Sequence, residues 1–173
     1  MSFSLSDASI PVLTQMLSAL HNVILKSSAH CAERKLDPTA LLQDRLFPNM
    51  WTFTRQVNAA TMWAANIAAR LSGVEPPKLP EGDSFDDLKA RVEAALAFVK
   101  SVDTAAIDKS AETVITFAAG PNTRKMKGKD YLLHQSLPNF YFHCATAYNL
   151  MRTNGVELSK RDFMGVPPGI IEG

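Results

Sequence analysis

Four stretches of this chain repeat apolar residues at helical spacing along one side, a pattern that leaves few folds open. The first begins near Ser9, carries Pro11 in its opening turn where a missing N–H does no harm, and aligns Leu13, Leu17, Leu20, Ile24 and Cys31 up to about Arg34. The second runs from about Pro48 to Leu71, stops at Gly73, and aligns Phe53, Val57, Ala60, Trp63, Ile67 and Leu71. The third starts after Ser84, which stands at capping-box spacing from Asp87. It aligns Leu88, Val92, Ala95, Leu96, Val99 and Val102 and is predicted to end near Asp103. The fourth resumes at Lys129 and passes Pro138 to reach Asn154, with Gly155 as the stop; Pro138 either opens a separate helix or kinks a continuous one. Four one-sided helices of about 18 to 26 residues bury one another most simply as a four-helix bundle. The expected fold is therefore all-α, a single domain over residues 1–173.

The connecting segments carry their own signals. Residues 74–83 hold three prolines and a glycine and read as a loop. Asp37 caps a short helix predicted over 38–46. Residues 112–118 and 123–127, on either side of Gly120-Pro121-Asn122, read as a short β-hairpin between the third and fourth helices. Such a hairpin is marginal by itself and has to pack on the helices. The stretch from Val156 to Gly173 reads as a polar tail lying along the surface.

Charge narrows the partners. With 18 basic and 17 acidic residues there is no field to attract nucleic acid or an anionic membrane, and Arg124–Lys129 reads as a solvated basic cluster. No apolar run reaches the ~20 residues a spanning helix needs, and the N-terminus lacks the pattern of a signal peptide. Cys31 and Cys144, without CxxC spacing, read as buried thiols in a reducing compartment, so a cytoplasmic protein is expected.

In a helical bundle, chemistry sits where polar side chains fall on apolar faces. His143 is the first such residue, sharing a face with Phe140, Ala147, Leu150 and Asn154; Asn139 stands one turn before it, and Gln56 is its counterpart on the second helix. A core histidine held by a hydrogen bond is the plainest reading of His143, since an unpaired buried polar group costs about 1–3 kcal/mol. His143 and Cys144 point about 100° apart on a helix and do not form a nucleophile–base pair. His21 and His30 read as boundary histidines, and Trp51, near a helix start, as a candidate pocket wall. No GxSxG, HExxH, P-loop or GxGxxG pattern is present.

The run PNFYFHCATAYNLMRTNGVELSKRDFMG, with DASIPVL, RLFPNMWTFTRQV and SFDDLKARV in the same order, resembles an uncharacterised bacterial and fungal branch of the DinB/YfiT-like bundles over roughly residues 5–165. The resemblance implies a bundle that is often a homodimer. It also implies, for many members, a divalent metal on three histidines and thiol-linked transferase or isomerase chemistry. His143 matches the last of those histidines, while the other two positions fall on Asn139 and near Gln56. Amide oxygens are poor ligands for zinc or nickel. His134 reaches the site only if Pro138 kinks the helix.

Two functional expectations follow. In the first, Gln56, Asn139 and His143 form a polar pocket that has lost the metal and serves small-ligand binding or a structural role, with no cofactor. In the second, His143 holds a zinc or nickel ion weakly and a bound water reacts in a transferase-type enzyme. A third role, assembly through an exposed helix face, fits the homodimer that the resemblance implies.

Overall fold

The computed structural model describes residues 3–170. Residues 1–2 and 171–173, the ends of the one-domain reading and of the predicted tail, lie outside the described residues. The described residues are mostly helical, with one small antiparallel sheet.

Helix α1 (Ile10–Arg34) carries proline in its first turn and ends where Lys35 turns left-handed. A short α2 (Pro38–Leu42) starts on the Asp37 cap and stops short of the predicted end at residue 46. Helix α3 (Phe53–Ser72) also differs, beginning five residues later than predicted. The reason is local: the Thr52 hydroxyl accepts the Arg55 N–H and caps the helix there, which leaves Pro48 and Trp51 in the preceding loop. Helix α4 (Phe85–Ser101) opens on the predicted capping box, with Ser84 and Asp87 satisfying each other's backbone donors. A further short helix, α5 (Thr104–Lys109), is capped by Asp103 and was not anticipated.

Strands β1 (Val114–Ala119) and β2 (Asn122–Lys127) pair antiparallel, Val114 opposite Lys127 and Ala119 opposite Asn122. The hairpin is anchored by Ile115 and Phe117, which alternate inward and are buried. Phe117 lies 5.1 Å from the ring of Tyr131, whose hydroxyl accepts a hydrogen bond from Arg70 on α3 at 2.7 Å. At the hairpin base, Gly128 N–H donates to Thr113 and Lys129 N–H to Ala111. A Cβ on Gly128 would come within 2.2 Å of the Ser110 carbonyl oxygen, so only glycine fits this crossing.

Helix α6 (Gly128–Asp130), a π-helical segment (Tyr131–Ser136) and α7 (Leu137–Thr153) then follow without a break. Of the two expectations for Pro138, the structure takes the continuous path. Leu137 N–H reaches five residues back to Leu132 rather than four. This wider turn makes room for the Pro138 ring, which would otherwise press on the carbonyl four residues before it. The predicted surface tail needs the larger correction. Val156 and Leu158 are buried, and Ser159 and Asp162 form a second capping box that opens α8 (Lys160–Met164).

The four long helices contact in a ring: α1 packs on α4 and α7, and α3 packs on those same two helices. Their stripes meet in one core that includes Leu13, Phe53, Ile67, Val92 and Phe140. No helix among the described residues is long and apolar enough to cross a membrane.

Candidate functional site

The α3–α7 contact brings Gln56 and His143 together. Gln56 sits in the first full turn of α3 and His143 midway along α7, and they are 1% and 7% exposed. His143 Nδ1 lies 2.7 Å from Gln56 Oε1. The other end of the Gln56 amide is also fixed: Nε2 donates to the carbonyl oxygen of Trp51 at 3.2 Å.

That second bond settles the first. A carbonyl only accepts, so the Gln56 NH2 group must face Trp51 and its oxygen must face the imidazole. Nδ1 therefore carries the proton and donates it, and Nε2 is left with a lone pair that makes no hydrogen bond among the described residues. Burial lowers the pKa of His143 below its ordinary value, which keeps the ring neutral at neutral pH.

Two aromatic neighbours define the ring's surroundings, and a cation backs one of them. The Trp51 indole stacks on the imidazole, centroids 5.5 Å apart and planes within 8°. Phe142 meets it edge-on at 5.3 Å. Arg55 holds its guanidinium 4.8 Å from the Trp51 centroid. Trp51 keeps this position because the loop before α3 is tied down. Phe53 N–H donates to the Asp44 carbonyl, Thr54 Oγ1 to the Leu42 carbonyl, and Asn154, which caps the end of α7, reaches the Asp44 carboxylate at 2.6 Å.

Asn139 does not join the pair. Its side-chain amide donates to the Gln135 carbonyl one turn back on its own helix. His134 is exposed, so the continuous helical path does not carry it inward. Cys144 faces another side of α7, lining a small cavity with Met16, Leu20, Val23 and Phe163. Its thiol is buried and pushed far above the usual range, which makes it inert as a nucleophile. His21 meets Glu93 at 3.0 Å on the α1–α4 side, away from this site. Among the described residues, two roomy clefts lie elsewhere, between α1 and the segments from residue 152 onward, and neither is lined by Gln56, Asn139 or His143.

Reasoning from residue types found the helical pair but not the part played by the Trp51 backbone, because a carbonyl acceptor leaves no mark in a sequence. The one signal for it was a tryptophan placed just ahead of a helix, five residues before the glutamine.

The site thus offers one imidazole lone pair and one fully engaged amide. Among the described residues, no three His, Cys, Asp or Glu side chains gather closely enough to hold a metal ion. The donor set does not fit a three-histidine metal site.

Comparisons with known proteins agree with this architecture. Residues 5–164 match the family described as "Domain of unknown function (DUF1993)". No curated protein matches the chain. Among solved structures, a DinB family member protein from Shewanella denitrificans superposes with a TM-score of 0.86 at 28% identity, covering 97% of this chain and 96% of that one. The chain belongs to the DUF1993 family and has the fold of a DinB family protein.

Proposed function

We propose that this chain is a single-domain four-helix bundle in which the metal site of the wider DinB/YfiT-like superfamily has given way to a Trp51–Gln56–His143 hydrogen-bond relay. The relay serves to bind a small polar ligand that donates to His143 Nε2. One observation carries the reading: Gln56 bridges Trp51 and His143, fixing the imidazole as a neutral acceptor pointed away from its own support. A buried histidine held in one tautomer is the arrangement that orients an incoming donor. The half-exposed Trp51 supplies an aromatic wall beside it. Asn139 belongs to the framework of α7 in this reading.

Elemental analysis of untagged protein, after incubation with zinc, nickel and manganese and then dialysis, tests the metal half. The expected result is no stoichiometric metal. A one-to-one metal that disappears in His143→Ala would overturn it and favour the metal-dependent transferase reading. The ligand half is tested by Trp51 fluorescence in a Trp63→Phe background, titrated with small donors such as phenol and primary amides. The expected response saturates and is lost in His143→Ala; an equal response in both proteins counts against the site.

The same proposal places the protein in the cytoplasm as a homodimer. Two free buried cysteines support the first part. The exposed apolar side chains of Trp51 and Phe142, each packed on His143, support the second. Sedimentation velocity at several concentrations tests the dimer, and a strict monomer counts against it.

A further inference from the structure

The larger of the two clefts lies on the far side of α1 and has no part in the relay. It is a groove of about 1130 Å³ between α1, α8 and the tail over residues 165–170, within reach of the volumes that hold small molecules. One wall is the outer face of α1, where Ile10, Thr14 and Ser18 succeed one another at a spacing of one helical turn. The facing wall is apolar chain from the tail: Val166, Pro167 and Ile170.

Its mouth is held open by specific contacts. Gln15 Nε2 donates to the Met164 carbonyl at 2.7 Å, fixing the end of α8 on α1. Gly165 then turns at φ 63°, and a Cβ there would sit 3.2 Å from the Ala19 Cβ and 3.3 Å from the Gln15 carbonyl oxygen. The tail can leave α1 at this angle only because residue 165 is glycine.

Charge selects the occupant. Lys100, Lys160 and Arg161 line the groove, and none forms an ion pair among the described residues. Among the described residues the one lining carboxylate, Asp162, is already held by Lys26 at 2.6 Å and by Asn22 at 3.1 Å. An apolar trough rimmed by cations complements a molecule with an apolar body and a single negative end. We propose that this groove binds an aliphatic monocarboxylate, its chain between α1 and the tail and its carboxylate against Lys160 and Arg161.

Calorimetric titration of the full chain with decanoate, below its micellar concentration, tests this. Decanol serves as the uncharged control. The proposal expects one-to-one binding of decanoate, weakened at least about tenfold in Lys160→Glu/Arg161→Glu, and decanol weaker by a similar factor. Ser18→Trp, at an exposed position that does not touch the core, fills the trough and should abolish binding while the circular dichroism spectrum stays unchanged. No decanoate binding, equal affinity for decanol, or full binding by Ser18→Trp would each overturn the proposal.

Discussion

Replacing Gln56 by leucine removes the centre of the relay while roughly keeping the side chain's size. Two hydrogen bonds disappear, from His143 Nδ1 and to the Trp51 carbonyl. The costs differ. The Trp51 carbonyl belongs to a half-exposed residue in a loop, where water replaces the amide at little cost. The Nδ1–H group lies between α3 and α7 on a side chain 7% exposed, and it is left without an acceptor. An orphaned buried donor costs about 1–3 kcal/mol, so Gln56→Leu should lose about 2 kcal/mol. Urea unfolding followed by circular dichroism measures this directly. His143→Leu, and the double variant, complete the cycle. Once the imidazole is gone, Gln56→Leu no longer strands a donor, and the two changes should couple by about 1–2 kcal/mol. A loss below about 0.5 kcal/mol for Gln56→Leu, or additivity within about 0.5 kcal/mol, would refute a relay that holds the ring.

Three other outcomes follow from the same geometry. Because burial depresses the His143 pKa in the folded state, the unfolded chain takes up that proton first as pH falls; stability is therefore full above about 6.5 and declines as pH drops through the window below it, a slope that His143→Leu should flatten in unfolding experiments between pH 7 and 5. Gly128→Ala forces a methyl onto the Ser110 carbonyl oxygen and should cost about 2 kcal/mol or more, read as a fall in the urea midpoint. Burial works against the charge of Asp162, yet bonds from Lys26 and Ser159 pull its pKa down to about 2. Its contribution is present above about 4 and lost as pH falls through the folded value. Asp162→Asn should therefore reduce hydrogen-exchange protection at Lys160–Met164 at neutral pH, and unchanged protection would contradict the docking of α8.

The helical frame was legible because its signals are local and periodic. The stripe through Leu13, Leu17 and Ile24, the Ser84–Asp87 box and the Gly73 stop each act within a turn or two, and each stands where periodicity and capping chemistry place it. The hairpin was legible for a related reason, since Gly120-Pro121 marks its turn and Ile115 and Phe117 alternate inward. What escaped depends on competition between equally plausible local signals. Pro48 and Thr52 both suit a helix start, and Thr52 prevails because its hydroxyl takes the Arg55 N–H while Asp44 takes that of Phe53. In the tail, Ser159 and Asp162 have the same spacing as the capping box of α4, but the charged run between and around them masked it; burial of Val156 and Leu158 on the helices gives that segment its order.

The site was legible to the extent that residue type and face define it. His143 and Gln56 fall on the apolar sides of two helices that meet, so their pairing follows from the fold. Asn139 looked equivalent by spacing, yet its short amide reaches the Gln135 carbonyl on its own helix. Helical position alone does not separate a side chain that crosses to a neighbour from one that folds back.

Nitrogen NMR of the imidazole of His143, in protein enriched with nitrogen-15, tests the central claim most directly. The relay predicts a proton on Nδ1 and a bare Nε2, a protonation midpoint below 6.5, and no change when one equivalent of zinc is added. A proton on Nε2, or a zinc-dependent shift that saturates at one equivalent, would contradict it.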